Sequence, residues 1–172
     1  DGYFLSQVGY GNRKWYISAL YAHKQGADGS KPAMGYSTPA ASNYDEALNA
    51  FGLRGYWSPE ESGIIPTISA GFDYGVSDAD EAGKTEEVIG WMVGLNWNDA
   101  FVDGNKLGIG LGTYSSYATE VKGDSDPDDG NFAIEGYYDF RVTDNITVTP
   151  AVFWIQNADG LSLIHISEPT RH

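Results

Sequence analysis

From its start to about residue 157, the chain alternates large apolar side chains with small or polar ones at a period of two. Alternation of that kind is the mark of strands with two unlike faces, and it excludes a helical bundle. The pattern predicts about eight strands, over residues 3–10, 14–24, 50–57, 65–75, 88–97, 106–117, 131–141 and 146–156. In the second, Trp15, Ile17, Ala19 and Tyr21 share one side, while Tyr16, Ser18, Ala22 and Lys24 share the other. Leu20 is an exception on the second side. The sixth sets Leu107, Ile109 and Leu111 against Gly108, Gly110 and Gly112. The seventh sets Phe132, Ile134, Tyr138 and Phe140 against Glu135, Tyr137, Asp139 and Arg141.

Most of these strands exceed the usual globular strand of about five or six residues. They approach the roughly 9–11 residues that a tilted strand needs to span a bilayer. The connections alternate in length. Short or modest ones lie at 11–13, 58–64, 98–105 and 143–145, and long ones at 25–49, 76–87 and 118–130. Short turns at one rim and long loops at the other are the habit of bacterial outer-membrane barrels.

The aromatics sharpen this expectation. Trp15, Tyr21, Trp57, Trp91, Trp97, Tyr138 and Trp154 all fall on the apolar side, many near strand ends, where membrane barrels carry their interfacial girdles. The opposite side carries Arg54, Asp73, Glu135, Asp139 and Arg141 among Gly, Ser and Thr, and these five are the candidate pore-lining residues. Strand pattern alone leaves a second arrangement open. A soluble β-sandwich or barrel, acting as a ligand-binding or adhesion module, would put the Trp-rich side in its core.

Composition then narrows the function. The chain has 172 residues, 24 Asp and Glu against 10 Lys and Arg, and a formal net charge of −14. Phosphate-backbone binding needs clustered cations, so nucleic acid is excluded as a partner. With no Cys there is no disulfide frame, zinc ribbon or thiol nucleophile. No run of apolar residues is long enough for a transmembrane helix, which leaves a strand-built membrane protein open. The chain starts in strand sequence at Asp1 without Met or signal peptide, so a processed or truncated start is expected.

Catalytic chemistry is not expected. His23 is the sole histidine before residue 161, and no Ser or Asp motif accompanies it. The glycines sit at alternating strand positions and form no phosphate-binding turn. The acidic stretch 124–130 (DSDPDDG) has calcium-loop character, but Asp129 stands at the glycine position and Pro127 lies inside it. It reads as a solvated loop, with no metal and no cofactor.

Residues 161–172 (LSLIHISEPTRH) break the pattern, with neither glycine nor aromatic residue. They resemble translated sequencing-adapter read-through, so His165 and His172 are set aside. The expected organisation is a partial barrel over 1–160 and a non-native tail over 161–172.

Four segments carry a family likeness: 51–57 (FGLRGYW), 63–71 (GIIPTISAG), 90–108 (GWMVGLNWNDAFVDGNKLG) and 140–154 (FRVTDNITVTPAVFW). In this order they resemble the carbohydrate-selective porin family, in its cyanobacterial outer-membrane branch. The resemblance covers about residues 1–157. It implies an all-β antiparallel meander, an open segment of a barrel of about sixteen strands. It further implies residence in the bacterial outer membrane, contact with the lipid bilayer and passive diffusion of small hydrophilic solutes or inorganic ions. A homotrimer, and attachment to peptidoglycan through an N-terminal domain absent from this chain, are also implied. The first half of the barrel and its closing strand are expected to be missing.

Overall fold

The computed structural model describes residues 2–25, 47–61, 63–114, 117–124 and 130–157. Ten antiparallel strands form one open sheet: β1 Gly2–Gly11, β2 Trp15–Gln25, β3 Ala47–Trp57, β4 Thr67–Ser77, β5 Thr85–Asn98, β6 Lys106–Gly112, β7 Tyr117–Val121, β8 Phe132–Thr143, β9 Ile146–Val148 and β10 Ala151–Gln156. Each pairs with its neighbour along the chain, in the order β1-β2-β3-β4-β5-β6-β8-β10, with β7 continuing against β5 and β9 against β8. The chain is therefore a meander of eight spans, two of them divided. Tail residues 161–172 and most of the acidic stretch 124–130 lie outside the described residues.

The divided spans differ from the unbroken sixth and eighth strands that alternation predicts, and each break has a local cause. Pro150 has no N–H to give the ladder. Its carbonyl still accepts from the Tyr138 N–H at 3.1 Å, so the sheet holds across the gap. The sixth span carries two extra residues: Gly112 faces Met92, and Tyr117 faces Ile89. At the break Thr113 stays attached, its N–H donating to Trp91 O at 2.9 Å. The Trp91 N–H in turn donates to Thr113 Oγ1 at 3.2 Å. Two other strands begin earlier than alternation indicates, β3 at Ala47 and β5 at Thr85.

Antiparallel pairing puts directly opposed residues on one face of a sheet. Trp15 faces Trp57, Trp57 faces Ile68, Ile68 faces Leu95, Leu95 faces Ile109, and Ile109 faces Gly136. The apolar sides of all the spans thus merge into one continuous face. That face is open: Phe4, Val8, Ile17, Phe51, Leu53, Phe72, Phe140 and Val152 are all exposed. The small apolar core sits on the other side, where Ala22, Leu48, Ala50 and Val88 pack together. Gly75 leaves room for Val88 and Leu48 there.

Glycines on the polar face have a packing role. A side chain on Gly108 would collide with the Tyr137 ring, and one on Gly9 would collide with the Tyr16 hydroxyl. Both rings lie along the wall over bare backbone, an aromatic cover for glycine that also pins register. Gly108→Leu is expected to destabilise the sheet by about 1–3 kcal/mol through overpacking. Tyr137→Ala should relieve most of that loss in the double variant. Denaturant midpoints of the four proteins measure the coupling, and strictly additive losses would contradict the contact.

Candidate functional site

The polar face brings an arginine and an aspartate together inside the described sheet. Arg54, from the middle of β3, reaches Asp73 of β4, with Nη2 at 3.4 Å from both carboxylate oxygens. The two residues are not direct cross-strand partners. Arg54 faces Gly71, and Asp73 faces Gly52. Each charge thus stands opposite a glycine, which leaves the guanidinium space to lean diagonally across the ladder. Asp73 is 1% exposed, and Arg54 is partly exposed.

The other candidates occupy the same face but do not join that pair. Glu135 of β8 is exposed and faces Gly110. Asp139 faces Lys106 and accepts a hydrogen bond from Thr149 Oγ1 at 2.7 Å. Arg141 bonds Asp144 at 2.7 Å, three residues along. Its own N–H donates to Asn105 Oδ1 at 2.9 Å, so it belongs to the rim formed by the short turns.

Other members of this face, which alternation also places there, are held by contacts that only the register reveals. Lys24 is 4% exposed, near the end of β2 beside the apolar core. Tyr137 donates to Asn96 Oδ1 at 2.7 Å. Tyr16 and Tyr56 stack with ring centres 6.3 Å apart. A glycine opposite a tyrosine, as in Gly108 facing Tyr137, is the trace they leave in the sequence, readable only once register is known.

The aromatic candidates all lie on the apolar face, at different heights. Trp15 opens β2, Trp57 closes β3, and Trp97 is next to last in β5, all at the short-turn end. The Trp97 indole donates to Ile64 O at 2.8 Å, and Tyr138 donates to Ala100 O at 2.6 Å. Tyr21 lies toward the other end, its hydroxyl on Asn49 Oδ1 at 2.9 Å. Trp91 is in the middle of β5, opposite Phe72, and not at a strand end. Phe132 lies between it and Trp154 at ring distances of 6.1 and 6.2 Å. His23 also lies on this face, with Nδ1 at 2.9 Å from Asn49 Oδ1. Among the described residues no group of His, Asp and Glu side chains has the geometry to hold a metal.

Comparison with known proteins gives a consistent picture. Residues 12–165 match the family described as carbohydrate-selective porin, OprB family. The uncharacterized protein alr4550 of Nostoc sp. (strain PCC 7120 / SAG 25.82 / UTEX 2576) is 30% identical over 109 residues. That stretch is 63% of this chain and 18% of the Nostoc protein, so the chain spans under a fifth of that relative. No solved structure matches the chain significantly.

The Arg54–Asp73 pair makes an asymmetric prediction. Removing one member of a buried pair costs up to about 3–5 kcal/mol because it strands the other. Arg54→Met strands a carboxylate deep in the wall, whereas Asp73→Asn strands a guanidinium that reaches solvent. Denaturant titration should show the larger loss for Arg54→Met. Equal losses would mean that the pair does not hold the wall.

Proposed function

The chain belongs to the carbohydrate-selective porin family, and from that premise we propose that it forms part of the wall of an outer-membrane diffusion channel. The observation that carries this is the inverted sidedness of the sheet. The buried residues of the sheet, many of them small or polar such as Ala22, Ala50, Ser18 and Asp73, lie on the polar face, and the large side chains of the apolar face are exposed. In water, leaving roughly a dozen such side chains half-exposed forfeits on the order of 10 kcal/mol. That is comparable to the whole stability of an ordinary domain. In a bilayer the same face is solvated by hydrocarbon, and the cost disappears.

The geometry of the apolar face supports a lipid contact. From Trp15 to His23 is eight residues along β2, or about 26 Å of strand. Tilted by about 40°, that covers roughly 20 Å of membrane, close to the apolar band of outer-membrane barrels. The band is edged by Trp15, Trp57, Trp97 and Tyr138 on one side, and on the other by Tyr21, whose hydroxyl reaches the polar Asn49. Trp91 and Trp154 complete the candidate aromatics, with Trp91 serving inside the band. A soluble sandwich needs a second layer over this face, and no observation favours one.

The polar face then borders the aqueous path. Arg54, Glu135, Asp139 and Arg141 line it, with buried Asp73 holding Arg54 from behind, and their arrangement sets selectivity among small hydrophilic solutes and ions. Backbone groups at the outer edges of β1 and β10 need partners in hydrocarbon. Further strands of the same protein supply them, up to about sixteen in all, with residues 1–160 contributing this stretch of wall. The assembly is a homotrimer held to peptidoglycan by an N-terminal domain outside this chain. The function is passage, and not catalysis.

Planar-bilayer recording on the complete protein is expected to show discrete single-channel steps, and a silent bilayer would refute the pore. Under a salt gradient, Arg54→Glu should move the reversal potential toward cation preference. An unchanged potential would remove Arg54 from the lining.

A further inference from the structure

Two turns at the short-turn rim carry side chains that no other part of the wall accounts for. The β3–β4 turn, residues 58–66, holds out Ile64 and Ile65; the β5–β6 turn, residues 99–105, holds out Phe101 and Val102. Ile64 is 95% exposed and Phe101 is 88% exposed. Turns facing water are ordinarily built from Gly, Pro, Asn, Asp and Ser. Here adjacent turns each present a pair of large apolar side chains at their tips.

Both turns are held in place, so the tips are presented and not merely loose. In the second, Gly104 N donates to Asp99 Oδ1 at 2.8 Å, and Asn105 N donates to Val102 O at 3.1 Å. Buried Asn105 donates to the Tyr138 hydroxyl at 3.0 Å, and that hydroxyl donates to Ala100 O. Phe101 adopts φ +63°, a left-handed backbone that bulky residues avoid. Strain at such a residue persists only where its surroundings over-determine it, and it points toward a functional placement. In the first turn, Ser58 Oγ lies 2.9 Å from Thr67 Oγ1, and the Ile64 carbonyl receives the Trp97 indole.

These tips are continuous with the apolar face. The Phe101 ring lies 6.2 Å from Tyr138, whose ring lies 4.5 Å from Phe140 on that face. Ile64 is tied to Trp97 at the edge of the same face. The apolar surface therefore extends past the last ladder pair, Asn98 with Lys106, onto the turns themselves.

We propose that Ile64, Ile65, Phe101 and Val102 form a lipid anchor, seated in the interface of the leaflet on the short-turn side. The proposal rests on the lipid-facing reading of the apolar face and adds that this rim is immersed instead of standing clear in water. Immersion makes the exposed side chains favourable, because apolar side chains on a rigid element insert at the headgroup boundary. It also fixes the depth of the wall, since the Trp97 and Tyr138 rings sit just beneath the tips.

The test is site-directed spin labelling of the complete protein in phosphatidylcholine–phosphatidylglycerol vesicles, with any cysteine outside this cysteine-free chain replaced by serine. Labels are placed through Ile64→Cys and Phe101→Cys, with Val102→Cys as the substitute if Phe101→Cys does not insert. Val152→Cys, 71% exposed on the apolar face, is the lipid reference, and Asp103→Cys in the second turn is the water reference. Collision with oxygen, relative to a water-soluble nickel chelate, should be several-fold greater at 64 and 101 than at 103, and should match 152. Water-like values at 64 and 101 with a lipid-like 152 would overturn the anchor alone. Protection from both probes at 64 and 101 would mean a protein covers the tips, and would also overturn it. A water-like 152 would overturn the lipid-facing reading, and the anchor with it.

Discussion

Backbone pairing between successive spans, unbroken in register except for local shifts in the β5–β7 and β8–β9 ladders, settles the side on which the paired residues lie. From Trp15 opposite Trp57 to Val152 opposite Gly136, direct partners stay on one face. Slipping any one of these pairings by a single residue would carry that span's aromatics to the polar side. Sidedness is therefore a property of the ladder as a whole. The buried ion pair, the tyrosines laid over glycines and the exposed aromatic face are its local expressions. Each also resists slippage, since Tyr137 fits only over a residue as small as Gly108.

The two faces place opposite demands on their residues. On the polar face, crowding favours glycine and alanine, and charge is tolerated where it finds a partner, as Asp73 does in Arg54. On the apolar face, where among the described residues only the turn residues Phe101 and Ile64 reach over its edge, size is little constrained and the large side chains collect there. A globular protein spends its large side chains on its own interior. This sheet keeps a small core at one end, around Leu48 and Val88, and spends them outward. Family membership and this inversion are independent observations that agree.

Much of the architecture was legible in the sequence because period-two alternation is a strong, local pattern. The number of spans, the faces of Trp15, Trp57, Trp97 and Trp154, and the face of Arg54 and Asp73 all follow from it. What it missed depends on neighbours distant in sequence. The pairing of Arg54 with Asp73 needs the β3–β4 register, and the covering of Gly108 by Tyr137 needs that of β6 and β8. Alternation puts Lys24 on the polar side but does not show its burial, which comes from the core beside it. Trp91 was grouped with strand-end aromatics because β5 begins three residues earlier than alternation indicates. Phe101 and Ile64 lay in stretches marked only as turns, where alternation carries no information.

The division of the sixth span has a consequence for how such a wall can change in length. Between its two halves the chain carries two residues more than its partner, and Tyr117 still arrives opposite Ile89 on the apolar face. Two is the repeat of the strand, so the excess leaves Tyr117 and Ala118 on the same faces as their partners Ile89 and Val88. One extra residue kept in regular strand geometry would have exchanged inside for outside over the rest of the span. A single extra residue is absorbed differently, as a local bulge: β7 gains one between Ala118 and Glu120 against β5, and β8 gains one between Arg141 and Thr143 against β9. Length changes in this wall are therefore accommodated either in pairs, which keep the faces, or as bulges that bend the strand locally.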